Sequence, residues 1–194
     1  MSTQSFAADF FARLDEDETL VARRVKVVLP ADKVAHALAT AKARNRKEAS
    51  FGAMTYGGKL GGVEAHNLGI LGEAAVAYVT GQGIDERIFD SHGDEGIDIT
   101  LKGKNLGVKT TTYPSDPYLR VEVEHFSEEI DAYVLCYINE KADMSKDVEV
   151  VIIGWATRDE VRAAEKRSLK IGGRYGPLNY ILYERNLRPW GSDR

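Results

Sequence analysis

Cysteine occurs once in the 194 residues, at Cys136 in an apolar run, so no disulfide can close within the chain. That usage suits a reducing cytoplasm. No apolar run reaches the ~18 residues of a membrane-spanning helix. The opening MSTQSFAADFFARLDEDE lacks the basic-then-apolar order of a signal peptide. A soluble cytoplasmic protein is expected, with no membrane partner. Cys/His clusters of the kind that hold zinc are missing, as is the Gly-x-Ser-x-Gly elbow of serine hydrolases. Excess positive charge is missing too: 26 Lys and Arg stand against 30 Asp and Glu, a formal net charge of -4. This argues against a generally basic nucleic-acid coat protein but leaves room for a local basic groove. Internal repeats and low-complexity linkers are absent.

An apolar content of 43% is enough for one substantial core. Residues 5–15 and 17–25 read as short helices around the acidic DEDE. Pro30 sits at the first turn of a stronger helix over about 31–47, with Val34, Ala35, Leu38, Ala39 and Ala41 near helical spacing. Its basic end carries Lys42, Arg44, Arg46 and Lys47, which suits either a solvated helix terminus or a phosphate-facing patch. The glycine-rich GAMTYGGKLGGVEAHN lacks the Gly-Lys-Ser/Thr of a phosphate loop and reads as a flexible loop or a flap over substrate. A helix follows over about 68–79, with Glu73 its one charge and Gly81 its C-terminal cap. A carboxylate on so apolar a helix must be exposed or deliberately placed, because an unpaired buried one is costly.

Strands are predicted near 87–90, 97–101, 105–112 and 118–124. Continuous β-rich runs at 131–138 and 148–156 read as central strands covered on both faces. Thr157 and Glu160 form a capping-box pair for a helix over 157–167, and the C-terminus supplies a turn, a short strand and a tail. The fold class is α/β: a mixed sheet flanked by helices. Residues 1–62 form a helical extension with its glycine-rich loop and residues 63–194 the core, within one compact domain.

Glu73 on a helix, Asp98 on a strand and Lys109 on the next strand supply two acids and a cation from adjacent elements. Phosphodiester hydrolysis needs a hard divalent cation held by carboxylates, and it gains from a cation near the developing phosphorane charge. In sequence context, LGILGEAAVAYV, GDEGIDI and LGVKTTTY, followed by DAYVLCYI, VVIIGWATRDEV and NLRPW, resemble the PD-(D/E)XK nuclease superfamily, particularly its small phage-type and resolvase-like members. The resemblance covers about residues 64–190 and rests on an ordered set of short, degenerate motifs. It implies a restriction-endonuclease-like core in a bacterial or phage-infected cytoplasm. It also implies a Mg²⁺-dependent DNA endonuclease, with Mn²⁺ as substitute. Asp98 would be the principal metal ligand, with Glu73 a ligand directly or through water and the Val108 backbone carbonyl completing the shell. Lys109 would position the nucleophilic water. Thr110, Thr111 and Tyr113 are candidates for DNA contact, as are His66 and Asn67 at the helix entry and the basic residues Arg44, Arg46 and Lys47. A second basic region around IGGRYG, with Arg162, Lys166, Arg167, Lys170 and Arg174, could track a backbone or form a solvated helix face.

One position departs from that family. Its members carry Asp or Glu two residues before the lysine, where this chain has Gly107. One explanation moves the acid to a neighbouring strand. If residues 105–124 form a hairpin in which Thr112 pairs with Leu119, Lys109 faces Glu122 and Gly107 faces Glu124. Either glutamate could then replace the lost carboxylate, and a one-residue slip would undo the match. The other explanation is a nuclease scaffold that no longer cuts and binds DNA or a protein partner. An RNA-directed nuclease is a weaker third reading, and a homodimer is open.

Overall fold

A computed structural model describes residues 24–50, 62–83, 96–171 and 174–191. The expected helix at 5–15, the one at 17–25 up to residue 23, the expected glycine-rich loop at 52–67 up to residue 61 and the strand at 87–90 lie outside these residues; residues 62–67 of that loop are instead helical, within Gly62–Thr80. Elements run in the order β1 (Val25–Leu29), α1 (Ala31–Ser50), α2 (Gly62–Thr80), β2 (Ile99–Leu101), β3 (Lys104–Thr111), β4 (Tyr118–Glu122), β5 (Ala132–Ile138), β6 (Val148–Thr157), α3 (Arg158–Ala163), β7 (Glu165–Ile171) and β8 (Arg174–Tyr183). The chain is mixed α/β. A five-stranded sheet has the order β1-β6-β5-β3-β2 and a three-stranded sheet the order β4-β8-β7. In the larger sheet only β3 and β5 run parallel.

Alternation along β3 explains the layering. Leu106 and Val108 join the core formed with α1 and α2, which also takes Leu71, Ala75, Val134 and Ile152. Gly107 faces Ile130 and Tyr133, which belong to a second core with Leu119, Val121, Tyr180 and Leu182 of the smaller sheet. The five-stranded sheet is therefore covered by helices on one face and by the smaller sheet on the other. Such double cover is why β5 and β6 read as unbroken apolar runs.

α2 is buried nearly all round from Leu68 to Ala77, as its small and aliphatic residues require. It ends at Gly81, whose φ of 68° is the left-handed value that glycine adopts without strain. The N–H of Gln82 donates to the carbonyl of Ala77 and that of Gly81 to Tyr78, which closes the helix as a Schellman motif. α3 starts with the expected capping box, Thr157 with Glu160.

Three expectations are corrected. Val25–Leu29 is a strand paired to β6, not the end of a helix; its β-branched residues alternate with Lys26 and stop at Pro30. The helix at 157–167 stops at Ala163, and Glu165–Ile171 pairs with β8 as strand β7. The β3/β4 hairpin does not form. β3 pairs with β2 and β5, while β4 pairs with β8 in the other sheet. β1 completes the larger sheet, and α1 packs on α2 through Val34, Ala37 and Ala41.

Cys136 is fully buried in β5, and burial pushes its thiol well above the ordinary value. A thiolate-selective reagent is expected to leave the native protein unlabelled at neutral pH and to label it fully once denatured. Rapid labelling of the folded chain would contradict this packing.

Candidate functional site

Glu73, Asp98 and Lys109 come from α2, the residue before β2, and β3. Glu73 is only 8% exposed. Its Oε2 lies 3.2 Å from Nη1 of Arg44 on α1, and both side chains are largely withdrawn from solvent. Arg44 was a candidate for a phosphate-facing patch; its guanidinium is instead turned inward onto this acid. Such a pair offsets part of the cost of desolvating Glu73, and losing one partner would strand the other charge. The side chains of Arg46 and Lys47 lie outside the described residues.

Asp98 is 9% exposed. Its backbone N–H donates to the carbonyl of Leu106 at 2.9 Å, and its Oδ2 accepts from the N–H of Val108 at 2.6 Å. The carboxylate thus continues the β2/β3 ladder just before β2 begins. A strand residue sends its N–H and C=O to the same side, so the Val108 carbonyl points toward the edge that Asp98 occupies.

Lys109 lies half-buried opposite Leu135, on the face of β3 that also carries Gly107. Among the described residues no carboxylate comes within ion-pairing distance of its ammonium. Other half-buried cations are matched: Arg44 by Glu73, Arg158 by Glu128 and Arg188 by Glu160. A half-buried lysine without an acid leaves its charge available to a bound anion.

Gly107 has a steric cause. A Cβ there would lie 3.1 Å from Ile130 Cδ1 and 3.1 and 3.2 Å from the Tyr133 ring. The space that a side chain at residue 107 would need is filled by a buried tyrosine whose hydroxyl accepts from the N–H of Ser127 at 3.4 Å. Burial pushes the Tyr133 hydroxyl above its ordinary pKa, against the opposite pull of that contact, and keeps it protonated. Tyr133 escaped the sequence reading because nothing in DAYVLCYI says which alternate residue reaches across to residue 107.

The substitute acids lose the geometry that recommended them. Glu122 pairs with Asn179, and its carboxylate lies 3.6 Å from Nε2 of His125. It alternates with the inward residues Leu119 and Val121, so it points away from the larger sheet. Glu124 is exposed in a 3₁₀ turn at Val123–His125. Among the described residues, no three His, Cys, Asp or Glu side chains are grouped to share a metal ion.

The remaining candidates scatter. Thr110 turns toward α2, where its buried hydroxyl lies 2.2 Å from the place a Cβ on Gly72 would occupy. Thr111 is half-buried, and its hydroxyl accepts from the N–H of Tyr113, which is exposed. His66 and Asn67 are half-buried on α2. Arg167 is clamped by Glu165 and donates to the Tyr183 hydroxyl. Arg174 sits at the start of β8, with its side chain outside the described residues.

A separate cleft of about 440 Å³ opens near the other end of β3, lined by Leu101, Leu106, Val134, Trp155 and Trp190 with Lys102 at its rim. No helix among the described residues is long and apolar enough to cross a membrane. Comparison with protein-family models, with curated proteins and with solved structures finds no match to this chain.

Proposed function

We propose that this chain is a metal-dependent DNA endonuclease on a restriction-endonuclease-like core, hydrolysing phosphodiester bonds. The observation that carries the reading is the half-buried, acid-free Lys109 one residue beyond Val108, whose N–H is held by the buried Asp98 carboxylate. The donor chemistry suits Mg²⁺ or Mn²⁺. Asp98, Glu73 and the Val108 carbonyl are hard oxygen donors, and Mg²⁺ is commonly held by one or two carboxylates with waters and phosphate oxygens completing the octahedron. The bound cation would polarise the phosphoryl group and acidify a water. Lys109 opposes the negative charge that builds on the phosphoryl oxygens and orients the incoming water. The Asp98–Val108 bond fixes the carboxylate against the strand that carries this lysine.

A second reading is favoured by one observation: Tyr133 and Ile130 occupy the space of the usual second acid. On that reading the scaffold binds DNA or a protein partner without cutting. Nicking of supercoiled plasmid with Mg²⁺ or Mn²⁺ separates the two. Wild type is expected to nick. Asp98→Asn keeps an acceptor for Val108 but removes the charge, and it should lose about 100-fold or more in rate; Lys109→Ala should lose a similar factor. A wild-type protein that leaves every DNA form intact with both metals would remove the hydrolytic reading.

A further inference from the structure

Beyond Asn179, where β4 makes its last pair, β7 and β8 continue as a two-stranded ribbon with pairs Ser168–Leu178, Lys170–Tyr175 and Ile171–Arg174. Within this arm no third strand joins them among the described residues. Residues 166–178 read KRSLKIGGRYGPL, with four cations and no acid in a chain of net charge -4. Pairing fixes which side chains share a face. The register shifts between Ser168 and Lys170, so three steps along β8 match two along β7. This irregularity falls at Gly176 and Pro177, residues that suit a bulge. It brings Tyr175 and Leu178 onto one face with Lys166, Ser168 and Lys170.

That face continues the one which, nearer its base, packs Tyr180 into the core, with the Lys166 ammonium 5.1 Å from the Tyr180 ring centroid. Further out it is open among the described residues: Tyr175 is 76% exposed and Leu178 44%. Arg167 projects to the opposite side, where Glu165 holds it.

We infer that this arm is a duplex-DNA-binding element that enters a groove, with Lys166 and Lys170 on phosphates and Tyr175 and Leu178 against the sugar and base edges. The inference rests on the DNA reading above and names the surface that reading needs. A two-stranded ribbon fits the B-form major groove, about 12 Å wide, whereas the deep, narrow major groove of A-form RNA excludes it. Charge complementarity selects a polyanion, and the exposed apolar pair distinguishes a groove contact from one limited to phosphates.

The test is anisotropy of a labelled DNA duplex in EDTA, where binding is read without cleavage, over a range of salt. Wild type should bind with a steep salt dependence. Lys170→Ala should lower the slope of log K against log salt by about one. Tyr175→Ala should weaken binding about tenfold with the slope unchanged. Lys141→Ala, an exposed lysine outside the arm, is the control and should change neither. Because EDTA removes the metal, binding is read whether or not the chain cuts, so failure of the arm and failure of the hydrolytic reading are separate results. Unaltered affinity in both arm variants would overturn the inference, as would failure of wild type to bind duplex DNA or a preference for duplex RNA. A wild-type dimer that Tyr175→Ala converts to monomer, with DNA affinity unchanged, would reassign the arm to a contact between copies and also overturn it.

Discussion

Gly107→Asp, which would rewrite LGVK in the family's usual form, is expected to destabilise the fold rather than complete the metal site. The new Cβ would lie 3.1 Å from Ile130 Cδ1 and from the Tyr133 ring, and both belong to the tightly packed second core. Overpacking of this kind costs about 1–3 kcal/mol, and a carboxylate introduced without a partner adds several more. A net loss of about 4 kcal/mol would lower Tm by about 10 °C in a chain of this size. Gly107→Ala separates the two contributions, because it carries only the steric cost. Thermal melts with and without Mg²⁺ make the comparison. A Gly107→Asp protein that melts with wild type and is further stabilised by Mg²⁺ would show that Tyr133 yields and that the acid can be restored.

Gly72→Ala is the second large effect. Its Cβ would fall 2.2 Å from Thr110 Oγ1 and 3.5 Å from Cys136 Cβ, where α2 packs on β3 and β5. Alanine is intrinsically better in a helix by about 1 kcal/mol, so the sign depends on whether the sheet can give way. Thr110 is β-branched and its strand is held there by pairing with β5, Thr110 beside Cys136, so it does not. A loss of about 3 kcal/mol is expected from denaturant unfolding. The clashing atom is a buried hydroxyl with no hydrogen-bond partner. Thr110→Ala should therefore be nearly neutral alone and should rescue Gly72→Ala, giving a coupling of about 2 kcal/mol in the double-mutant cycle. The same variant weighs Thr110 as a DNA contact. With its hydroxyl against the helix, duplex affinity should be unchanged by Thr110→Ala.

Most of the elements were legible because their signals are local. The capping box at Thr157, the glycine after α2, and the apolar runs of β5 and β6 each carry their reason within a few residues. What failed depended on partners. β1 was missed although Val25 and Val27 alternate, because the preceding acidic segment invited a helix that ran on to residue 25. β7 was read as the tail of α3 because Glu165–Arg167 suits a helix as well as a strand, and pairing with β8 decided it. Pairing β3 with β4 followed from their adjacency in sequence, but β3 found a better-buried neighbour in β5, with Val108 beside Val134. For the candidate site, the burial of Glu73 and Asp98 could be expected from their apolar surroundings. Their partners could not: Arg44 stands 29 residues from Glu73, and Tyr133 reaches Gly107 across a parallel pair.

The smaller sheet waits on its middle strand. β8 follows both β4 and β7 in the chain, and those two have no common neighbour until it has been made. During that interval Tyr133, Leu135 and Ile153 lack the cover that Tyr180 and Leu182 later provide. A nascent chain in this state presents a sticky, half-dressed sheet to chaperones and to other nascent chains. Premature termination before residue 174 should therefore yield aggregates rather than a shortened but folded protein.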